Sequence, residues 1–408
     1  MIKGIVERVA GLDVHKDTVV GTVLLENPGG DPLKETRSFG TMSQKLKELA
    51  SWLTQQGVEL AVMESTGIYW KPVFEALEEV GLKVFLVNAR HVRNVPGRKT
   101  DVKDSEWLAE LARCGLLRPS FVPPKDLREL RSVSRYREKM SGMLASEKNR
   151  LQKILDECGI RLSSVVSDIN GVSARKMIQA LINGMPITEI PELAVGSLRG
   201  KKEELLSALE GTLSERHRFL LRQIESHIRF LSDELAQIDT LLIEGMAPYR
   251  QEWQRLQTIP GLDQIGAALL LVEIGTDMER FGSAARLSAW AGMCPGNNES
   301  AGKRKSGRTP HGNKHVRQIL CEAANCARRT KSQFSGLYQG MVIRRGHKRT
   351  IVAIGHKMLR ISFALLKNGE HYRDPGIDYE KLVVQRNGPR WLQALKKFGL
   401  LQREPVTA

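Results

Sequence analysis

Apolar and polar positions alternate in distinct regimes along this chain. Val9 to Val14 is apolar apart from Asp13, and Thr18 to Leu25 is rich in β-branched residues, so residues 8–26 predict two strands and a tight connection. Phe39 to Thr41 predicts a short third strand. Leu46, Leu49 and Leu53 recur at helical spacing, predicting a helix over 43–56 with Ser43 as its N-cap. A short apolar run, Val58 to Met63, ends directly on Glu64. A helix is predicted from Trp70 to Val80 and another buried strand from Leu82 to Val87. Strands joined by helices in this order predict an α/β layer around a mixed sheet.

The texture changes at Lys125. Leu130, Val133, Met140, Leu144, Leu151 and Ile154 follow a 3–4 alternation broken by Arg137 and Glu147. A cleaner heptad seam runs through Leu221, Ile224, Ile228, Leu231, Leu235, Ile238 and Leu242. Two long helices with such seams predict a coiled-coil hairpin or a dimerisation arm; ordinary helices covering a core give the same pattern. Further on, Ile259-Pro260-Gly261-Leu262-Asp263-Gln264 has the form of a helix-hairpin-helix turn, whose second helix would offer backbone N–H groups to a phosphate. The expected division is an α/β domain over 1–125, a helical coiled-coil region over 126–250, a mostly α domain over 251–371 and a tail over 372–408.

Composition narrows the function classes. The chain has 408 residues, 41% of them hydrophobic, which suits a globular protein of two or three domains. Neither a signal-peptide core near Met1 nor a bilayer-length apolar run is evident, so a cytoplasmic protein with no membrane partner is expected. Five scattered cysteines suggest reduced thiols; Cys321 and Cys326 with His311 and His315 fit no standard zinc finger. Net charge is +16, and fifteen Lys/Arg stand between Ala301 and Arg360 against the single acid Glu322. A solvated face seldom excludes one sign so completely, so this segment points to nucleic acid. Lys303, Arg304, Lys305, Arg308, Lys314, Arg317, Arg344, Arg345, Lys348 and Arg349 are its candidate phosphate contacts.

Four acids stand where chemistry is expected. Asp13 interrupts an apolar strand, where an isolated carboxylate is costly unless paired or metal-bound. Glu64 closes a later strand, where α/β sheets place functional groups. Asp101 and Asp104 stand at i and i+3, sharing one face if the segment is helical. Carboxylates converging from two strand ends and a helix suit magnesium, and two ions about 4 Å apart clamp the attacking and leaving oxygens of a phosphodiester. Taken singly, each of these acids also fits a solvated surface position or a helix cap.

Gly11-Leu12-Asp13-Val14-His15-Lys16, Met63-Glu64-Ser65-Thr66-Gly67 and Lys99-Thr100-Asp101-Val102-Lys103-Asp104 together resemble the DEDD transposases of the insertion sequence 110 family. The resemblance continues through Leu256-Gln257-Thr258-Ile259-Pro260-Gly261, Glu273-Ile274-Gly275, Phe281, Trp290-Ala291-Gly292-Met293-Cys294-Pro295 and Asn298-Glu299-Ser300-Ala301-Gly302-Lys303, covering about residues 8–365. It implies an RNase H-like (RuvC-like) first domain in which Asp13, Glu64, Asp101 and Asp104 bind Mg2+ (or Mn2+). It also implies a serine nucleophile, by position Ser300, with Ser306 the runner-up because Ala301 replaces a family glycine. The implied activity is excision and insertion of a mobile element. Its implied partners are double-stranded donor and target DNA, a structured guide RNA from the element, and further copies of the chain (a dimer, or a tetramer on DNA). Two other readings remain open at this point: a RuvC-like Holliday-junction nuclease using water, and a nucleic-acid-binding protein with an inactive site.

Overall fold

In the computed structural model, residues 5–27, 30–65, 67–89, 92, 104–296, 298–307, 309–376 and 379–400 are described. The chain divides into two compact units, Met1–Lys125 and Asp126–Ala408.

The first unit is built on a five-stranded sheet in the order β3-β2-β1-β4-β5, with β1 Arg8–Val14, β2 Thr18–Leu25, β3 Leu33–Gly40, β4 Leu60–Glu64 and β5 Lys83–Val87. β1, β2 and β3 are antiparallel neighbours; β4 lies parallel to β1, and β5 parallel to β4. Helices cover both faces, as the alternation of apolar side chains requires. On one face, Ala10, Leu12 and Met63 pack with Leu49 and Leu53 of α1 (Ser43–Gln55) and Val73 and Leu77 of α2 (Trp70–Glu79). On the other, Val9, Leu60 and Val62 pack with Leu108, Ala109 and Ala112 of α3 (Asp104–Arg113). This mixed α/β sheet fits the RNase H-like expectation for the N-terminal domain.

Two local expectations change. The third strand is eight residues long, not three: its sequence, Leu-Lys-Glu-Thr-Arg-Ser-Phe-Gly, is mostly exposed at the sheet edge, so no apolar period announces it. Ser43 does not cap α1; Met42 occupies the N-cap with extended backbone and no side-chain bond.

The second unit is helical apart from one small hairpin. α4 (Lys125–Glu157) and α7 (Glu215–Glu244) are the two long helices. They run antiparallel, because Arg137 pairs with Asp239 near one end while His227 Nδ1 lies 3.2 Å from Glu147 Oε1 further along. Between them in sequence, α5 (Val172–Ile182) and α6 (Lys202–Leu209) build a small core with Leu151 and Leu155 of α4 and Leu221, Ile224 and Ile228 of α7. The apolar seam is therefore covered largely by its own chain: Leu221, Ile224, Ile228, Leu231 and Leu242 are all buried within it.

The remaining helices are α8 (Arg250–Gln257), α9 (Gln264–Ile274), α10 (Ala284–Trp290), α11 (Lys314–Ala327), α12 (Gln333–Arg345), α13 (His347–Asn368) and α14 (Tyr379–Lys397). α9 is apolar on nearly every side and buried accordingly, with one acid, Glu273, near its end. No helix among the described residues is long and apolar enough to cross a membrane.

Candidate functional site

Register places the first two acids together. Leu12 of β1 pairs with Met63 of β4, so Asp13 and Glu64 follow side by side at the ends of parallel strands. Strands in register lie roughly 4.8 Å apart, and paired positions face the same way. Leu12 and Met63 enter the core under α1 and α2; Asp13 and Glu64 therefore face the side covered by α3. Both carboxylates are half-buried, and His15 Nε2 lies 3.1 Å from Asp13 Oδ2.

The third acid arrives with α3. This helix rides directly on β1 because position 11 is glycine: a Cβ there would fall well inside 3.0 Å of the Ser105 carbonyl and the Ala109 nitrogen. A buried hydrogen bond of 2.8 Å between Thr22 Oγ1 and Ser105 Oγ fixes the same turn, and Thr22 is the register partner of Gly11. Asp104, one residue before Ser105, is thereby held at the start of α3. Lys34 Nζ–Glu106 Oε1 at 2.8 Å and Arg113–Glu26 at 3.2 Å tie the helix to β3 and to the end of β2. Asp101 lies outside the described residues, so the expected i, i+3 face is represented by Asp104 alone. Among the described residues no group of three or more His, Cys, Asp or Glu side chains is gathered closely enough to hold a metal. The described donors are carboxylate oxygens, the chemistry that suits a hard divalent cation.

In the second unit, β6 (Asn298–Ser300) and β7 (Lys303–Ser306) form a hairpin. Ser300 pairs with Lys303, leaving Ala301 (φ 51°) and Gly302 (φ 72°) as a two-residue turn with both residues left-handed, the type I′ geometry. Ser300 thus ends its strand at the hairpin tip. The side chains of Ser300, Arg304, Lys305 and Ser306, and the whole of Arg308, lie outside the described residues.

The segment carrying this hairpin is anchored at its base. Gly292 and Gly312 touch backbone to backbone, with no room for a Cβ on either. Arg317 Nη2 donates to the Gly292 carbonyl (3.1 Å) and the Pro310 carbonyl (3.2 Å). Asn313 caps α11 through Oδ1, which accepts from His315 N and Val316 N, while its Nδ2 donates to Glu273 Oε2 at 2.6 Å. Glu273 is fully buried and also takes Arg135 Nε at 2.9 Å and Arg135 Nη2 at 3.1 Å. Burial pushes the Glu273 carboxyl up, but bonds from Arg135, the Arg131 charge and Asn313 together outweigh it and hold it below the usual range. Burial lowers Arg131 to about 10, against the pull of Glu273. His315 Nδ1 is paired with Glu138 of α4.

Asp263 caps the α9 N-terminus, accepting from Gly266 N at 2.7 Å, and lines a groove of about 590 Å³ together with Arg137, Asp239 and Glu322. Gly261 (φ 91°) is needed for contact, since a Cβ would strike the Ala323 carbonyl and Ala327 nitrogen of α11. Arg317, expected on phosphate, is half-buried and engaged at the loop base. The other described cations of the set, Lys303, Lys314, Arg344, Arg345, Lys348 and Arg349, are exposed. The sequence reading gave Glu273, Arg135 and Asn313 no role; the signal was the lone acid in the apolar run Ala267–Ile274.

Comparisons with known proteins bear on both units. The family model for DEDD transposases of the IS110 type matches residues 10–160, and the model described as "Transposase IS116/IS110/IS902 family" matches residues 253–339. A "Probable family 20 transposase" of Pseudomonas aeruginosa is 28% identical over 332 residues, spanning 78% of this chain and 86% of the relative. The "Transposase for insertion sequence element IS1111A" of Coxiella burnetii is 25% identical over 343 residues, spanning 82% and 84%. The RuvC structure of Thermus thermophilus aligns with 28% of this chain and 99% of its own, at 14% identity and a TM-score of 0.22.

Proposed function

This chain belongs to the IS110 family of transposases, enzymes that act on DNA, and on that premise we propose that it exchanges strands through Ser300, with Asp13, Glu64, Asp101 and Asp104 holding Mg2+ or Mn2+. The observation that carries the reading is the side-by-side placement of Asp13 and Glu64 under a helix that begins at Asp104. Bound there, divalent ions would supply Lewis-acid charge at phosphoryl oxygens. The chain's own part is to hold Asp13 and Glu64 at neighbouring strand positions, so that little reorganisation is needed as charge develops.

Ser300 Oγ forms a bond to phosphorus as one P–O bond to deoxyribose breaks; the hydroxyl proton passes to solvent or a base, and the departing sugar oxygen is protonated. The hairpin tip suits this attack because it projects the strand end away from the anchored base at Gly292 and Gly312, while Lys303 offers charge beside it. Sequence choice comes from a structured RNA encoded by the element, pairing with donor and target; a basic surface on a chain with only 5% aromatic residues favours backbone contacts over base stacking. The acting species is a homo-oligomer, a dimer or a tetramer on DNA. Phe219, Phe230 and Leu241, exposed at eleven-residue intervals on one face of α7, are its expected contacts.

The test pairs two readouts. Ser300→Ala should bind DNA but leave no covalent protein–DNA adduct after denaturation, and Asp13→Asn should lose Mn2+ binding by calorimetry. Adducts that persist in Ser300→Ala and vanish in Ser306→Ala move the nucleophile to Ser306. Strand cleavage without adducts in the unmodified protein assigns the attack to water. Unchanged Mn2+ binding in Asp13→Asn removes the metal site from these acids.

A further inference from the structure

The corner between α12 and α13 is built unlike the rest of the basic segment. α12 ends at Arg345 and α13 starts at His347, so Gly346 alone (φ 73°) serves as C-cap of one helix and N-cap of the next. The seven residues from Ile343 to Arg349 are all exposed, and Ile343, at 94% exposure, exceeds every other exposed large hydrophobic among the described residues. The corner is also held by local hydrogen bonds. Gly346 N donates to Val342 O at 2.8 Å, Thr350 Oγ1 donates to Gly346 O at 2.9 Å, and Tyr338 Oη lies 3.0 Å from His347 Nδ1. The Arg328 guanidinium stands 5.0 Å over the Tyr338 ring.

Two features of this corner are unfavourable in water. An aliphatic side chain is held out at the apex with nothing apolar around it. His347, Lys348 and Arg349 fill the first turn of a 22-residue helix that has no acid there and no side-chain cap, which opposes the helix dipole. Nor do Arg344, Arg345, Lys348 or Arg349 form ion pairs with described residues. One occupant resolves both: a polyanion with an apolar stack between its charged edges.

We propose that this corner is a DNA wedge. Ile343 inserts between base steps of duplex DNA, and Arg344, Arg345, Lys348, Arg349 and the uncapped N–H groups of α13 hold the flanking phosphates. Apolar wedges flanked by cations unstack and kink B-form DNA from its minor groove. RNA duplexes are instead recognised by shape and 2′-hydroxyl contacts, which neither an isoleucine nor a basic corner supplies. The wedge rests on the DNA-acting reading above and adds to it a place and a mode of deformation.

To test it, the full chain is titrated against an end-labelled duplex of repeated TA steps, which unstack easily, with 2-aminopurine replacing some adenines. Binding should raise the 2-aminopurine fluorescence and shorten the end-to-end distance measured by energy transfer. Ile343→Ala should abolish both signals and weaken binding about tenfold, the loss expected for one aliphatic side chain left in water, without changing the salt dependence or thermal melting. Ile343→Phe should restore the fluorescence. Duplex binding with no fluorescence rise, or a rise that Ile343→Ala retains, overturns the wedge and leaves DNA binding standing. A rise seen with an RNA hairpin and not with the duplex overturns it in favour of RNA. No duplex binding at all strikes the reading beneath it.

Discussion

At the scale of single residues, acids in apolar surroundings carry most of the information. Asp13 and Glu64 were legible because each breaks or closes an apolar strand, and strand periodicity then decides which face they share. Glu273 gave the same signal inside α9, but its partners come from positions 135 and 313, and no local pattern encodes pairing across such distances. Gly11 was legible as part of a motif, whereas its reason, a helix backbone lying against the strand, needed the fold. Glu273 also makes a pH prediction. Its folded pKa lies below the ordinary value, about 4.3 in the unfolded chain, so its contribution is complete above that value. That contribution fades as pH falls toward the folded pKa. Glu273→Gln should cost about 3–5 kcal/mol near neutrality, because Arg131 and Arg135 lose their counter-charge. Urea midpoints followed from pH 7 downward (~pH 3 as the lower limit) should converge for the two proteins; parallel curves would show that Glu273 is not the titrating group.

At the scale of elements, the strands with buried residues were readable and most of the exposed edge strand β3 was not, since burial is what writes the pattern. The heptad seam correctly marked two long helices, but a seam does not name what covers it. Here the α5–α6 core and the antiparallel run of α4 cover most of it within one chain. Ile228→Ala should therefore destabilise the second unit by about 2–5 kcal/mol, as cavity-forming changes do, measured by chemical denaturation. Phe230→Asp, on the exposed side of the same helix, should leave that stability within about 0.5 kcal/mol. It should nevertheless lower the mass found by light scattering. Equal masses for Phe230→Asp and the unmodified protein would remove this face as the proposed contact between copies.

At the scale of the whole molecule, charge is the dominant long-range feature, and it was fully legible, because net charge needs no fold. Its division of labour was not: Arg317 is held at the loop base, while Arg344, Arg345, Lys348 and Arg349 face solvent. Replacing those four with Gln should flatten the log–log salt dependence of duplex binding by up to about 3.6, at roughly 0.9 per phosphate contact. The same replacement of Lys125, Lys153, Lys176 and Lys201 is expected to leave the slope unaltered. The serine hairpin, in turn, depends on a base that is unforgiving. Glu273 is fully buried and takes hydrogen bonds from both Arg135 and Asn313, so losing either leaves that carboxylate short of a partner, and the three form a unit of inheritance. In lineages descending from this sequence they should be retained or replaced together, while the exposed turn position Ala301 is open to drift among residues that accept a left-handed backbone.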